Sequence, residues 1–545
     1  MQACGYDAVT PLGTAAARLF KSLSRLHDWP YRPGIAGTAR AQSEGWPGDW
    51  EGRALLALAL LGRTLKTEPA WLEELAAWIG THCNEKGYRG AGIEPDAINE
   101  QSLAGHGWLL RGLIEYTRWK PDPAAQALVE AIVTALYLPL RGAFDSYPCQ
   151  PQQRVYAGEA VGALAGTTVA GWQVSSDTGC AFIALDGLTQ AYEQLRWPAL
   201  KELIEEMIGV FTAIDFTGIS MQTHATLTAS RGVMRMYRLT GEERHLSFCR
   251  RIFEEYKREG MTENYANFNW FRRPSWTEPC GVVDSFLLAL SLWEATGEAS
   301  YLEDAHLIWY NGLCREQRPN GGFGCDSCAT DGFVRVQEGC YEAFWCCTMR
   351  GCEGLAAAAA HGLYTQGDRL VFPFYSDGRY AVGQELVLRM RAQYPRAGCI
   401  EVTAERAPAG GVEKTLEFFL PDWAADIRLT AEGQPLEARR EQGFVKARVR
   451  LQPGMRVRLE FHIPLLACPA ITAPHKGSGL VTLRRGVLLL GSGEGGEAVR
   501  LEELEDCGFG RCRAGGRVFA PLDEAYQQEE AALKAASYRI LFRVS

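Results

Sequence analysis

Two cysteines stand side by side at Cys346 and Cys347, within "EGCYEAFWCCTMRGCEGL" at 338–355. Neighbouring cysteines rarely bridge each other, because the small ring they would close strains the peptide between them. The chemistry open to such a pair is metal ligation or nucleophilic attack, both of which need a thiolate. Soft thiolates select zinc, which takes four ligands in tetrahedral geometry. The best partner segment is "WTEPC" at 276–280, where Glu278 and Cys280 stand two apart just before an apolar helical run. In a short extended segment, residues i and i+2 face one side, as two ligands of one ion require. Glu278, Cys280, Cys346 and Cys347 then form a Zn2+ shell. Such an ion would hold Cys346 as a thiolate and make it a nucleophile. A proton donor is also needed, and Glu263 lies in the aromatic-rich stretch "MTENYANFNWF", where partial burial would raise a carboxyl pKa into the useful range.

A second thiol arrangement competes. "CDSC" at 325–328 has the C-x-x-C spacing of half a zinc site and could pair with Cys346 and Cys347, or with Cys340 and Cys352. A closed four-cysteine site would be structural and leave no free nucleophile. The remaining cysteines, such as Cys83, Cys180 and Cys249, read as small buried residues.

The elements that must position these groups are helices first and strands second. From about residue 50 to 365, apolar residues recur at helical spacing between short Gly, Pro or polar breaks, as in "RALLALALLGRTLK" (53–66) and "VVDSFLLALSLWEATG" (282–297). Two helices end in a Thr-Gly stop followed at once by a new start, "YRLTGEERHL" and "WEATGEASYL". Repeated helical hairpins of this length predict a toroid whose inner helix ends surround one pocket. Past 365 the period becomes two, as in "ELVLRMRAQY", "CIEVTAER" and "TLEFFLPDW", which predicts a β-sandwich. The expected division is a toroid at 1–365, a sandwich at 366–468, and further strands or a small second β-domain at 469–545. "GDWEGR" at 48–53 reads as a helix entry in which Trp50 supplies an aromatic pocket wall. Trp270, Phe271, Trp276 and Trp345 either stack on a ligand face or pack the rim.

Bulk composition narrows the partners. The chain has 545 residues, 47% of them hydrophobic, and a net charge of −9. Its basic residues are scattered, which excludes a nucleic-acid or anionic-membrane partner. No run reads as a membrane span, and the N-terminus lacks the pattern of a signal peptide. With 17 cysteines read as reduced thiols, the expected compartment is the cytoplasm.

These segments together resemble the glycoside hydrolases of family 127, the β-L-arabinofuranosidases. The likeness is carried by "TENYANF…WTEPC", "YLEDAHLIWYNGL", "FWCCT", and the sandwich segments "FFLPDWAADIRLTAEGQPL" and "LVTLRRGVLLL". It implies a mainly α fold with β: an (α/α)6 barrel followed by one or more β-sandwich domains. It implies that Glu278, Cys280, Cys346 and Cys347 bind zinc, that Cys346 is the nucleophile and that Glu263 is the acid/base. It also places His106 and His224 at sugar-binding positions. Three departures fall at the rim. Asp177 or Thr178 stands where many relatives have histidine, His306 stands where relatives often carry glutamate, and "TMRGC" replaces a Pro-Pro-Asn segment.

The expected activity is therefore retaining removal of a terminal pentofuranose or related sugar from an oligosaccharide or glycoside. The alternatives are a sugar epimerase or an unsaturated-uronide hydrolase on the same fold, or a non-catalytic carbohydrate-binding protein with a structural zinc. The oligomeric state is open, a homodimer included.

Overall fold

The computed structural model describes residues 1–33, 45–94, 96–154, 162–493 and 495–545. Among the described residues, twelve α-helices of nine or more residues alternate between an outer and an inner layer. We label them α1 (Gly13–Leu26), α2 (Asp49–Leu65), α3 (Leu72–Thr81), α4 (Glu100–Trp119), α5 (Pro123–Ala131) and α6 (Ala184–Leu195). After them come α7 (Pro198–Thr212), α8 (Thr223–Thr240), α9 (Glu243–Glu259), α10 (Pro279–Thr296), α11 (Ala299–Leu307) and α12 (Cys347–Ala360). The even-numbered helices each pack on the next, and α12 closes the ring on α2. Each outer helix packs on the inner helix that precedes it, and α1 covers α12 from the other end of the chain. This is an (α/α)6 barrel.

The two layers differ as their sequences require. Outer helix α9 buries a single stripe, Leu246, Phe248, Cys249, Ile252, Phe253 and Tyr256, and leaves its charges outside. Inner helix α2 is buried on every face except at Arg63. Close crossing of inner helices is made possible by glycine: a Cβ at Gly52 would sit 2.3 Å from the backbone nitrogen of Leu109 on α4. The Thr-Gly stops behave as read, with Gly241 and Gly297 taking left-handed C-cap positions after α8 and α10.

Charged side chains fill the barrel axis. Asp284 accepts hydrogen bonds from Thr228 Oγ1 (2.6 Å), Arg231 (2.6 Å) and Arg350, while Glu353 accepts from Arg111 and Arg231 at 2.9 Å each. Asp186 is paired with Arg235 at 2.7 Å and Arg111 at 3.2 Å. This network closes the barrel below the pocket.

Two sheets form the sandwich. In one, Arg369–Phe372 pairs parallel with Val412–Phe419, which pairs antiparallel with Phe444–Leu451; in the other, Leu386–Ala392 and Gly398–Arg406 are central. Residues 1–11 do not join the barrel as the 1–365 division would have it: Gln2–Ala3 pairs with Tyr364–Gln366, and Val9–Pro11 pairs with Gly378–Val382. The chain thus starts on the edges of both sandwich sheets. Beyond them a separate six-stranded sheet begins at Leu465–Pro469 and ends with Arg517–Pro521, Arg511–Ala514 and Glu505–Gly508. This C-terminal module docks on the barrel. Ser537–Arg539 pairs with Phe333–Arg335, and Asn311 exchanges hydrogen bonds with Val487 O (2.8 Å) and Leu489 N (2.7 Å).

One run is corrected. Pro123–Leu140, with mean hydropathy 1.4, is long and apolar enough to cross a membrane by length and composition. Here it forms α5 and the turns after it, packed on α4.

Candidate metal and active site

The inner helices run parallel, so their N-termini gather at one end of the barrel, where the positive ends of their dipoles favour anions. A cavity of about 440 Å3 opens there. The start of α2 contributes Asp49, Trp50 and Arg53, and the start of α8 contributes Gln222 and His224. Asn269, Trp276 and Glu278 come from the loop into α10. The loop into α12 adds Cys325, Glu338, Cys340, Trp345, Cys346 and Cys347.

Glu278 is the extended N-cap of α10, Pro279 opens the helix and Cys280 lies in its first turn. Cys346 is the N-cap of α12 and Cys347 its first residue. The ligand atoms of Glu278, Cys280, Cys346 and Cys347 all lie within 4.8 Å of one another. Cys347 Sγ is 3.6 Å from Cys280 Sγ and 3.3 Å from Cys346 Sγ. Tetrahedral zinc–thiolate bonds of about 2.3 Å would place sulfurs about 3.8 Å apart, so the donors fit such an ion with small adjustments.

The electrostatics point the same way. Burial, then Cys280 and Asp177, hold the Glu278 carboxyl well above the usual range. Burial also works against a Cys280 thiolate. Hydrogen bonds from Cys346 and Cys347 and the charge of Arg53, 3.5 Å away, outweigh it and hold Cys280 well below the usual thiol range. Cys346 is raised in turn by donating to Cys280 and Cys347 and by burial. Four acids meet around one point, and Arg53 balances one anion among them. A divalent cation is what would let all four ionise.

Some expected residues are brought together here and others are not. Trp50, Asp177, His224, Glu278, Cys346 and Cys347 line the cavity, with Trp276 and Trp345 among its aromatics. Thr178 is buried beside Asp177 without lining it. His224 donates from Nδ1 to Asp284 (2.9 Å), which turns Nε2 towards Arg53 at 3.4 Å.

Glu263 is elsewhere. It is 1% exposed, and its carboxylate accepts from the backbone N–H of Ile471 and Thr472 at 3.0 Å each and from Thr472 Oγ1. Those oxygens tie the barrel to the C-terminal module, so the acid/base expectation for Glu263 is not met by its position. Glu263→Gln turns an amide donor towards those donors. We expect a loss of about 1–3 kcal/mol in stability with turnover per folded molecule unchanged, read by thermal unfolding beside an activity assay.

His106 is a satisfied core histidine: Nδ1 donates to Ser102 O (2.6 Å), Nε2 accepts from Arg89 N (3.0 Å), and burial pushes its pKa down to about 4. His306 accepts from Tyr394 OH (3.0 Å) and donates to Pro373 O (2.9 Å) where barrel meets sandwich. Burial likewise lowers it to about 4. Neither lines the cavity, so their expected sugar contacts are corrected. Trp270 and Phe271 pack away from it as well.

The "CDSC" alternative is resolved by orientation. Cys325 faces the cavity against Cys340 and Cys347, whereas Cys328 points to Asn267 O, and burial pushes its thiol up. Among the described residues, the two do not form a metal-binding group. The other cluster of suitable ligands, Glu205, Glu242 and His245 on the outer layer, has both carboxylates bridged by Arg244 at 2.7 Å.

Sequence reasoning missed Arg53, Asp49, Gln222 and Asn269. The first two had a signal, since Asp49 and Arg53 in "GDWEGR" have the i, i+4 spacing of a helical ion pair and bond at 2.8 Å.

Comparison with known proteins follows the same lines. Residues 374–463 match the profile of the β-L-arabinofuranosidase GH127 middle domain. No curated protein matches by sequence. A solved glycoside hydrolase superposes with TM-score 0.74 at 14% identity, covering 100% of this chain and 97% of its own. A GH127 β-arabinofuranosidase gives 0.72 at 11% identity, with coverage of 100% and 98%. A GH127 β-L-arabinofuranosidase from Geobacillus stearothermophilus T6 gives 0.70 at 13% identity, with coverage of 98% and 100%. The chain thus matches the GH127 middle-domain profile at 374–463 and, along its length, has the fold of solved GH127 β-arabinofuranosidases.

Proposed function

We propose that the protein is a zinc-dependent retaining glycoside hydrolase of β-L-arabinofuranosidase type that removes one terminal pentofuranose or related sugar from an oligosaccharide or glycoside. The observation that carries this reading is Cys346: a half-buried thiol at the head of an inner helix, facing a sugar-sized cavity, with Glu278, Cys280 and Cys347 around its sulfur. When bound by these four residues, zinc supplies the positive charge that keeps Cys346 a thiolate at neutral pH.

The chain's own residues do the rest. Cys346 Sγ attacks the anomeric carbon, a thioglycosyl bond forms as the glycosidic bond breaks, and water then releases the sugar from sulfur. Two displacements at one carbon give net retention. Arg53 and His224 stand beside the thiols, Arg53 as fixed positive charge and His224 held in one tautomer by Asp284. Trp50, Trp276 and Trp345 offer flat apolar faces to sugar C–H groups, and Asp49, Gln222 and Asn269 offer polar partners for hydroxyls. The floor of charged side chains admits no chain through the barrel, which supports exo action. A cytoplasmic location is supported by cysteines that are all unpaired thiols.

The test is metal content together with turnover of 4-nitrophenyl β-L-arabinofuranoside and a panel of other aryl glycosides. We expect about one zinc per chain, lost on joint Glu278→Gln and Cys280→Ser substitution, and first-formed product of retained configuration. Zinc that stays after both substitutions sinks the proposed shell. Bound zinc with every glycoside untouched would instead favour a carbohydrate-binding protein.

A further inference from the structure

The reaction needs a proton for the departing oxygen, and Glu263, which does not line the cavity and whose oxygens are held by Ile471 and Thr472, is not placed to give it. We propose that Asp177 is the general acid/base of this site, delivering its proton to the leaving oxygen and recovering one from water. The assignment rests on Cys346 being the nucleophile.

Among the described residues, four carboxyl groups line the cavity: Asp49, Asp177, Glu278 and Glu338. Both oxygens of Asp49 are taken by Arg53, at 2.8 and 3.0 Å, so neither is free for a leaving oxygen. Glu278 belongs to the thiol cluster. Glu338 is exposed at the rim, open to solvent rather than enclosed around a substrate. Asp177 is buried, at 8% exposure, and has no ion pair with Lys or Arg among the described residues; Glu278 shares both properties but belongs to the thiol cluster, which Asp177 does not. Its Oδ1 is buried in the cavity wall without a hydrogen-bond partner.

The backbone holds Asp177 in place from both sides. Ser175 Oγ accepts from its N–H at 3.1 Å, and its own carbonyl accepts from Cys180 N at 3.0 Å, at the entry to α6. The groups facing its carboxyl are Gly162 and Gln222, which hydrogen bond to it, and the ionisable His224, Asp49 and Glu278. Burial outweighs the charge of His224 and pushes its pKa up to about 6, a value suited to giving and taking a proton near neutrality.

The step balances as follows. The Cys346 thiolate forms a C–S bond as the C1–O bond breaks, and the Asp177 proton goes to the leaving oxygen. In the second half Asp177, now a carboxylate, takes a proton from water. The hydroxide oxygen bonds to C1, and the C–S electron pair returns to sulfur.

Asp177→Asn separates acid catalysis from every other role, because the need for a proton depends on the leaving group. Methyl β-L-arabinofuranoside, with a poor leaving group, should lose about 10²–10⁴-fold in kcat/KM. The 4-nitrophenyl glycoside should lose less than about tenfold in its first step, with azide then accelerating turnover and giving a glycosyl azide of retained configuration. The basic limb of the pH profile should vanish while zinc content stays that of wild type. Asp177→Glu, which keeps the carboxyl, should retain a basic limb and guards against a folding defect in the first variant.

Equal losses on both glycosides, or a leaving-group dependence transferred to Glu338→Gln, would overturn the assignment while leaving the nucleophile intact. Activity surviving Cys346→Ser, or wild type inert on both glycosides, would overturn the underlying reading and this assignment with it.

Discussion

Cys346→Ser should lower turnover of 4-nitrophenyl β-L-arabinofuranoside by at least about 10⁴-fold, or about 5.4 kcal/mol in transition-state stabilisation. A serine hydroxyl stays protonated where a thiol is ionised, and oxygen does not replace sulfur as a soft metal ligand. The substitution is a clean test because its structural cost is small. Cys346 is the N-cap of α12 and makes no side-chain capping bond, and serine is among the best residues at that place. Folded stability should hold or rise slightly, so lost activity reads as lost chemistry. Cys347→Ser provides the contrast. Cys347 is 1% exposed and lies 3.6 Å from Cys280, so its loss should weaken metal binding first and turnover through it. If Cys346→Ser keeps turnover within tenfold of wild type, sulfur at this position is not the nucleophile.

Much of the barrel was legible because local and global signals agree in it. Apolar runs of helical period, broken by Thr-Gly stops, mark helices whose ends are set by left-handed glycines, and such signals are local. The change to period two marks the sandwich for the same reason. The edge strands Gln2–Ala3 and Val9–Pro11 left no trace, since two or three residues carry no period and their partners lie far along the chain, beyond Tyr364. Gly52 was equally silent: in "WEGRALL" nothing shows that the backbone of Leu109 will pass against it.

The thiol cluster was legible from donor chemistry, because few residue types can share one soft ion and their order along the chain is short to enumerate. Single polar residues were not. Glu263 in an aromatic loop reads alike whether its oxygens face a cavity or the amides of Ile471 and Thr472, 208 and 209 residues away. His106 finds one partner a helical turn back, at Ser102, which any histidine on a helix can do. His306 finds its hydroxyl partner 88 residues on, at Tyr394. Asp177 was noted for a departure from family pattern. Its burial and its free oxygen come from the loop into α6 and the approach of α8, which no window of sequence contains.

Asp284→Leu should be the most destabilising single change in the barrel, at about 3–5 kcal/mol. Asp284 is fully buried on α10 and joins three inner helices, accepting from His224 and Thr228 as well as from Arg231 on α8, and from Arg350 on α12. Burial alone would raise its pKa, but Arg350 and Arg231 outweigh it and hold the carboxyl well below the usual range. The sign follows from that direction: its stabilisation is present above the unfolded carboxyl's pKa and is lost as pH falls towards the lower folded value. Leucine leaves Arg231 and Arg350 buried with a partner missing, which costs more than the original ion pair was worth. Adding Arg350→Leu should recover part of the loss, because one orphaned charge goes with it. The same change leaves Nδ1 of His224 with only Thr228 Oγ1, at 3.2 Å, so kcat should fall even at temperatures where the protein stays folded and zinc content is unchanged. Urea unfolding reads the first effect and steady-state turnover the second. A stability loss below about 1 kcal/mol would mean that the charged floor of the pocket holds together without Asp284, and His224 would then need another source of its orientation.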